Sequence, residues 1–511
     1  MAAGVLCSRL AGLVRVRVFA YYFGLQSDAA DAFNAAFRIP NFLQNLFGEG
    51  ALSASFIPVY SALIARGERR TADRVAGAVA SVLALGVAAI VLAGVLATPW
   101  LVAAIAPGFT GEKRRLTVEI VRILFPGAGL LVLSAWCLAV LNSHHRFLLS
   151  YAAPVVWNAA MIGTLIVYGG RVDLPSLAAA LAWGSVAGSA LQLAVQVPVV
   201  LRVAPDLRFA LDHASEHVRI VARNFVPVFV SRGVVQVSAY IDALLASLLP
   251  TGAVTGLTNA QVLYTLPISL FGMSVAAAEL PSLSGAASRD DPSDTLRRRL
   301  DAGLRQIAFF VVPSAVAFFA LGDVVAAALL QTGRFRSEDA VYVWAILAGS
   351  AVGLLPTTLG RLYASTYYAL RDTRTPLRYA LVHVALATGL GYLFAIPVPR
   401  ALGIPAVWGA AGLTLAAGIG GWIEMALLRR TLNARIGRTG LAAGYLLKLW
   451  TAATVAAAAG WAIRLAVPTP HPIVTAIAVL GPYGVIYFTV TSAMGIPEAS
   501  AALKRISRSR G

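Results

Sequence analysis

Charged residues are scarce in this sequence: Asp, Glu, Lys and Arg make up 13% of its 511 positions, whereas an ordinary soluble domain has about 25%. Apolar residues make up 59%. A water-soluble chain of this length could not bury so much apolar surface, because folded proteins leave a large share of theirs exposed. The shortage of charge therefore excludes an ordinary soluble protein and indicates that much of the chain lies in a bilayer.

Cysteine and histidine are also scarce, with two and six residues. Their spacing shows neither a disulfide framework nor a metal-ligand pattern. The sequence also lacks a phosphate-binding glycine loop, a pair of catalytic carboxylates and a nucleophile with a neighbouring base. We therefore predict that the protein is not an enzyme and that it has no cofactor.

Long apolar runs recur along the chain, and about 20 such residues are enough for a helix to cross a membrane. They predict an all-α polytopic membrane protein with about fourteen transmembrane helices. The predicted spans, in chain order, are residues 3–25, 30–65, 73–106, 115–142, 148–169, 174–203, 218–249, 254–286, 299–331, 337–369, 376–397, 402–431, 440–467 and 472–495.

The formal net charge of +18 would suggest a nucleic-acid partner in a soluble protein. Here the basic residues concentrate in the loops after the even-numbered helices, which is the positive-inside pattern of a membrane protein. Exceptions follow the third helix, at Lys113, and the ninth, at Arg334. We predict no nucleic-acid partner, a place in the bacterial inner membrane, and both termini in the cytoplasm, which requires an even number of helices.

Short motifs repeat in the same order and at nearly the same spacing in two parts of the chain. Leu46-Phe47-Gly48 in helix 2 returns as Leu270-Phe271-Gly272 in helix 8, and Pro58 is matched by Pro281. We predict two six-helix bundles, residues 1–210 and 211–435, followed by two extra helices and a basic tail, residues 436–511. Transporters built from two such repeats hold their substrate between the halves.

Several ionisable residues lie inside the predicted spans, where they are costly and are candidates for function. A cluster of guanidiniums suits a phosphate or pyrophosphate, because arginine is always charged and can contact two oxygens at once. Each of these charged residues also has a purely structural explanation. An arginine side chain can reach the membrane surface, an acidic residue can cap a helix, and two opposite charges can form an ion pair. The candidate substrate-binding residues are Ser8, Arg9 and Arg15 in helix 1, Asp31 and Glu49 in helix 2, and Arg232 in helix 7.

Energy coupling is predicted to involve an ion or the membrane potential, because no nucleotide-binding motif is present. Asp242 in helix 7 and His383 in helix 11 are candidates for a site that takes sodium, another cation or a proton. A hydrogen-bonded core acid is the structural alternative for Asp242.

Several segments together resemble the MurJ/MviN family: Ser8 to Arg15, Asp31 to Phe33, Phe37 to Asn41, Leu46 to Ser53, and Ala106 to Phe109. The resemblance spans roughly residues 5 to 430. It implies a lipid II flippase of the multidrug/oligosaccharidyl-lipid/polysaccharide exporter superfamily, which would carry the undecaprenyl-pyrophosphate-linked peptidoglycan precursor to the periplasmic leaflet by alternating access. It also implies lipid II, membrane lipids and cell-wall synthesis machinery as partners, and a role in cell shape.

By position, Arg9 and Arg15 match the family's cavity arginines, and Asp31 and Glu49 match its acidic residues. Two basic positions of the family are occupied here by Gln44 and Val262. We hypothesise that Arg232 replaces one of them. The alternatives are a flippase for another polyprenyl-linked glycan, an ion-coupled drug exporter, which predicts an acidic cavity, and a membrane scaffold.

Overall fold

In the computed structural model, residues 2–47, 52, 55–210, 215–276, 279, 283, 285, 292–466 and 471–500 are described. Within these ranges the chain is almost entirely helical and has no β-strand beyond an isolated bridge between Thr332 and Phe335. The helices are α1 Ala2–Phe23, α2 Asp28–Asn45, α3 Ile57–Ala65, α4 Arg69–Ile105, α5 Gly111–Ser143, α6 Phe147–Tyr168, α7 Leu174–Val203, α8 Glu216–Ser247, α9 Ala253–Pro267, α10 Pro292–Leu330, α11 Ser337–Ala369, α12 Arg374–Ala395, α13 Pro397–Ala401, α14 Gly409–Ile436, α15 Ala443–Ala466 and α16 Pro472–Ala493.

Nine helices of the described residues are long and apolar enough to cross a membrane. Helices α1 and α2 fall outside this set because each carries three charged side chains. The predicted all-α polytopic membrane fold is confirmed, whereas the count of fourteen crossings stays a prediction.

Three predicted helices differ from the observed ones. In the second, predicted as continuous from 30 to 65, α-helix changes to π-helix after Asn45, at Leu46 and Phe47, and α-helix α3 covers Ile57–Ala65, with Pro58 in its first turn. Residues 48–51, 53 and 54 lie outside the described residues, so the continuity of this helix stays a prediction. The eighth changes from α-helix to π-helix after Pro267, over Ile268–Met273. The twelfth begins only at Gly409, because Pro405 lacks the N–H group that a helix interior needs.

The first of two compact units comprises Met1–Thr255 and Thr332–Phe335. Its central helix is α5, which packs against α7, α2 and α4. The most apolar stretch of α5 is 67% buried, against 28% for those of α4 and α7, so α5 lies inside this unit and α4 and α7 lie nearer its surface. Helix α1 packs on α6, and a core around Phe33, Phe37 and Leu124 joins α1, α2 and α5.

The second unit comprises Gly256–Gln331 and Arg336–Gly511. Helix α11 packs against α10 and α14, and α12 packs along α14. Only 11% of the apolar stretch of α12 is buried, against 61% for α11, so α12 lies at the periphery of this unit. Helices α15 and α16 pack on each other and on α10. The predicted boundaries at residues 210 and 435 rest on the internal repeat and stay a prediction.

Candidate functional site

Arg15 lies on α1 within the first unit, and its guanidinium has aromatic rather than acidic neighbours. Its Cζ atom lies 5.1 Å from the ring centroid of Phe37 and 5.1 Å from that of Trp157. Its Nη1 approaches the Met161 sulfur at 3.5 Å, and its Nε has no hydrogen-bond partner among the described residues. Arg15 is thus held in place by weak contacts, and its buried Nε–H has no acceptor among the described residues.

The aromatic platform under Arg15 is itself fixed by packing. The rings of Phe37 and Trp157 stack at 5.6 Å and 11°. The Trp157 Nε1 donates to the backbone carbonyl of Ser185 at 3.1 Å and to its hydroxyl at 3.2 Å. A Cβ on Gly188 would lie 2.8 Å from the Trp157 ring, so only glycine lets α7 approach so closely. This platform orients Arg15 without neutralising it.

A positive charge with this environment suits a polyanion. Cation–π contacts stabilise a guanidinium by about 0.5–2 kcal/mol each, far less than the cost of removing a charge from water. An anion that accepted hydrogen bonds from Arg15 would recover much of that cost. Phosphate oxygens fit this role because guanidinium donors form strong, directional bonds with them.

The other predicted residues of α1 lie closer to its start. Arg9 is exposed and Ser8 is half-buried. Ser8 and Arg15 are seven residues apart and share a face of the helix, whereas Arg9 points roughly 120° away. Helix α1 therefore carries an exposed arginine, Arg9, and a half-buried arginine, Arg15, whose Nε atom is buried.

Asp31 is almost fully buried, at 1% exposure, and its carboxylate is saturated with donors. Lys113 Nζ donates to it at 2.8 Å, as do the backbone N–H of Gly252 and the N–H and hydroxyl of Thr255, at 2.7 to 2.9 Å. Asp31 thus joins α2 to the start of α5 and to the first turn of α9. These contacts favour a structural role, and substrate binding by Asp31 stays a prediction.

Asp28 completes this cluster on the outer side of Lys113. It accepts from Lys113 at 3.1 Å and from the Thr251 hydroxyl at 2.8 Å, with 62% of its side chain exposed. Partial burial raises the pKa of Asp28, but the hydrogen bonds from Thr251 and Lys113 outweigh it and hold the pKa below its usual value. In the sequence, this cluster could be suspected only from Lys113, a basic residue that follows an odd-numbered predicted helix whereas most basic loops follow even-numbered ones.

The remaining candidates are only partly described. Glu49 and the side chain of Arg232 lie outside the described residues, so their predicted roles, including the replacement of a family arginine by Arg232, stay predictions. Asp242 is half-buried on α8 and lies within electrostatic reach of Arg38.

His383, in the second unit, contacts Glu424, a residue that the sequence analysis did not single out. The predicted association of Asp242 with His383 joins residues of different units and also stays a prediction.

Comparison with known proteins places the chain in one family. A family model described as lipid II flippase MurJ matches residues 19–492. The lipid II flippase MurJ of Burkholderia cenocepacia is 32% identical over 436 residues, 84% of this chain and 82% of that protein. A probable lipid II flippase MurJ of Rhizobium meliloti is 30% identical over 526 residues, 99% of this chain and 94% of that protein.

Solved structures show the same fold. A lipid II flippase MurJ in an inward closed conformation has a TM-score of 0.78 and 22% identity, covering 96% of this chain and 98% of that one. An inward-facing multidrug resistance MATE family transporter has a TM-score of 0.69 and 17% identity, covering 84% of this chain and 94% of that one. The resemblance predicted from the helix 1 and helix 2 motifs is confirmed: this chain belongs to the lipid II flippase MurJ family.

Proposed function

We propose that this protein is a lipid II flippase that moves the undecaprenyl-pyrophosphate-linked peptidoglycan precursor from the cytoplasmic to the periplasmic leaflet of the bacterial inner membrane. Family membership over residues 19–492 supports this function, as do relatives that carry the same name. The single structural observation that carries it is Arg15, a guanidinium inside the first unit with an unpartnered Nε.

The substrate fits this charge. The pyrophosphate of lipid II presents several anionic oxygens, and guanidiniums bind such oxygens with strong, charge-assisted hydrogen bonds. Arg9, which is exposed on the same helix, would meet the headgroup first, and Arg15 would then hold it in a drier environment where attraction is stronger. Ser8 shares the face of Arg15 and would supply a hydroxyl donor.

The polyprenyl tail requires an apolar path, which helices α15 and α16 would line. Translocation by alternating access would then carry the headgroup past the bilayer centre while the tail stays in lipid. The protein would act as a transporter rather than an enzyme, with membrane lipids and the cell-wall synthesis machinery as partners and with both termini in the cytoplasm.

The test is a leaflet-specific assay of lipid II in a bacterial strain that is depleted of its own lipid II flippase. Expression of this chain should restore growth and expose lipid II to a periplasmic probe. Arg15→Ala should abolish both effects, whereas Arg66→Ala, an exposed arginine at the end of α3, should not. Failure of the wild-type chain, coupled with export of another polyprenyl-linked glycan, would reassign the substrate.

A further inference from the structure

A buried carboxylate near the start of α4 contacts the chain that leaves α7. Asp73 is 3% exposed, and its Oδ2 accepts a hydrogen bond from the backbone N–H of Asp206 at 3.1 Å. The Tyr60 hydroxyl donates to the other carboxylate oxygen at 3.5 Å. Asp206 lies after the end of α7 and outside any helix, so its N–H needs a partner from elsewhere. Asp73 supplies that partner.

Residues 204–208, which we call the first exit segment, also pack directly on α4. A Cβ at Gly77, one turn beyond Asp73, would lie 2.1 Å from the carbonyl oxygen of Arg208, so any side chain there would push the segment away. Ala204 is fully buried, whereas the side chain of Arg208 is exposed. The first exit segment is therefore held on α4 by a hydrogen bond and by close backbone packing.

The second unit repeats this arrangement within itself. On α10, Asp301 Oδ1 accepts from the backbone N–H of Gly440 at 2.8 Å. Gly440 ends the second exit segment, residues 437–440, which follows α14. In this segment Thr439 is 4% exposed, and its carbonyl accepts from Arg429 Nε at 2.9 Å while its N–H donates to Asn433 Oδ1 at 2.9 Å. The chain that leaves α14 is thus also held on its own unit.

The two aspartates occupy corresponding places in the predicted repeat. Helices α4 and α10 are the third and ninth predicted spans, and α7 and α14 are the sixth and twelfth. The spacing between Asp73 and Asp301 is nearly that between the two Leu-Phe-Gly motifs. Beyond the first exit segment the chain enters the second predicted bundle, and beyond the second it enters the two extra helices. In each repeat, a carboxylate holds the chain where it leaves the bundle.

A carboxylate is a strong choice for such a contact. Its hydrogen bonds are roughly twice as strong as those of a neutral acceptor, whereas segments outside helices are the parts of a protein that open most easily. A buried acidic side chain also carries a cost that small apolar residues avoid. The pairing of a strong acceptor with an exit segment, found in both units, indicates that these segments are kept closed while other parts of the protein move.

We propose that Asp73 and Asp301 are positioning residues for translocation, which keep both exit segments on their own units throughout the transport cycle. This role rests on the proposed function, because alternating access moves two bundles against each other. The length of a connecting chain limits how far two joined parts can move. With the first exit segment held, the connection to α8 begins after Arg208. Release of residues 204–208 would lengthen it by roughly 17 Å.

The contact can be measured without lipid II, by trypsin cleavage of the full-length protein in nanodiscs. Cleavage after Arg208 requires the exit segment to leave α4, because a protease acts on the opened chain. Asp73→Ala should accelerate this cleavage about 10- to 100-fold, the factor expected for loss of a hydrogen bond to a charged group. Asp301→Ala should do the same for cleavage after Arg438, which is exposed in the second exit segment.

The matched control is Asp206→Ala. It changes a side chain that is 54% exposed and keeps the backbone N–H that Asp73 accepts, so cleavage after Arg208 should be unchanged. Cleavage after Arg66, in the exposed turn after α3, should be the same in every variant. Unchanged cleavage of an exit segment in either Asp73→Ala or Asp301→Ala would overturn the proposal.

A role in translocation is tested by shortening the connection. Deletion of Phe209 and Ala210 removes two residues after the first exit segment, and the shortened chain should no longer restore growth of the flippase-depleted strain. Asp73→Ala in the shortened chain should restore growth, because the released segment returns the lost length. Asp73→Asn should not, because its amide oxygen still accepts from Asp206. A merely structural contact predicts the opposite of rescue, since the two losses would add.

Immunoblots of the membrane fraction establish that the variants are present in equal amounts. At equal amounts, growth with the shortened chain alone, or no growth after Asp73→Ala is added to it, would overturn the proposal. Failure of the wild-type chain to restore growth would instead contradict the flippase function. Trypsin cleavage would then still decide whether Asp73 and Asp301 hold the exit segments.

Discussion

A charged side chain inside a membrane protein needs neighbours that offset the cost of removing its charge from water. The protein groups around Arg15 offset only part of that cost. Two aromatic rings and a thioether contact its guanidinium, and these neighbours attract a cation weakly while offering no countercharge. A salt bridge would have stabilised the resting protein more, but it would compete with the substrate for the same donors. Under the proposed function, the weak platform would leave the guanidinium of Arg15 to the pyrophosphate.

Replacing Arg15 by lysine tests whether geometry matters beyond charge. Lysine keeps the positive charge but cannot present a planar fork of donors. Loss of one charge-assisted hydrogen bond, worth about 1.5–3 kcal/mol, predicts a fall of roughly 10- to 100-fold in the lipid II translocation rate. Arg66→Lys, at an exposed loop position, should leave the rate unchanged. An equal effect of both substitutions would show that Arg15 acts only through charge.

Asp31 and Asp28 form a matched pair for a stability measurement, because both contact Lys113. Asp31→Asn removes the charge of the more buried of the two carboxylates that contact Lys113 and should lower the free energy of unfolding by about 2 kcal/mol. Asp28→Asn changes a carboxylate that is 62% exposed and should cost less than about 1 kcal/mol. Thermal unfolding of the purified variants measures the difference. Equal losses would argue against a structural role for the buried carboxylate.

The sequence could identify the charged residues of this region but not their partners. Arg15 stands out because arginine is rare within apolar spans, and Asp31 stands out for the same reason. Phe37, Trp157 and Met161 do not, since aromatic and apolar residues are common at every position of a membrane helix. The contact between Asp31 and Thr255 joins segments far apart in the chain, and only the fold brings them together.

Among the helices, the clearest local distortions coincide with the repeated Leu-Phe-Gly motif. Leu46 and Phe47 adopt π-helical geometry after α2, and Ile268–Met273 is a π-helix that contains Leu270 and Phe271. Such π segments are rare and often mark functional positions. The repeat was visible in the sequence, whereas the distortion was not, because hydrophobic periodicity cannot distinguish a π-turn from an α-turn over a few residues.

Pro313 removes one backbone hydrogen bond from α10, and a tyrosine hydroxyl of α16 replaces it. Proline has no N–H to donate to the Phe309 carbonyl, and the Tyr487 hydroxyl donates to that carbonyl instead, at 2.6 Å. One turn away, Tyr483 donates to the Pro313 carbonyl, also at 2.6 Å. Helix α16 is thus fastened to α10 at the carbonyl that Pro313 leaves without its backbone partner.

A double-mutant cycle tests this repair. Tyr487→Phe should lower the free energy of unfolding by about 1 kcal/mol, near the range measured for hydrogen bonds between membrane helices. In a Pro313→Ala background the same change should cost almost nothing, since alanine supplies the missing N–H. Tyr483→Phe is the control, because its acceptor is not the carbonyl that proline orphans, and its cost should be the same in both backgrounds. An equal loss of unfolding free energy for Tyr487→Phe in the two backgrounds would show that the Tyr487 hydroxyl does not replace the hydrogen bond that Pro313 removes.

Asp372 organises the start of α12 and gives this element a pH dependence. It accepts from the backbone N–H and hydroxyl of Thr375 at 3.0 and 2.7 Å and contacts Arg435. The hydrogen bonds from Thr375, aided by Arg435, lower the pKa of Asp372 to about 2 from 3.8. Because the folded pKa lies below the unfolded one, this stabilisation is present above pH 3.8 and is lost as the pH falls toward 2.

We therefore expect Asp372→Asn to lower the midpoint of thermal unfolding at neutral pH, by an amount that corresponds to the loss of a helix cap, about 1 kcal/mol. The difference from wild type should shrink as the pH approaches about 2, where the wild-type carboxyl is protonated as well. Unfolding midpoints of both proteins across the pH series measure the change. A difference that does not depend on pH would mean that the charge of Asp372 is unimportant.

At the scale of the whole chain, composition and the long apolar runs predicted the fold class well, whereas the orientation that loop charge predicts stays a prediction. Long apolar runs give helices because the bilayer leaves the backbone no other way to satisfy its hydrogen bonds. The changes to π-helix after residues 45 and 267 and the break near residue 405 were missed, because membrane helices tolerate proline and glycine within them. Sequence alone therefore locates the helical segments more accurately than the points at which they bend or break.

The alternating basic loops predict on which side of the membrane each loop of this chain lies. An even number of crossings places both termini in the cytoplasm, since arginine-rich loops are retained there. A fluorescent protein fused after Gly511 should fluoresce, and alkaline phosphatase at the same position should be inactive. Phosphatase inserted between α6 and α7, next to Gly170, should be active, because that loop lies on the opposite side. Phosphatase activity both next to Gly170 and at the C-terminus would require an even number of crossings between the two positions and would contradict the nine predicted there.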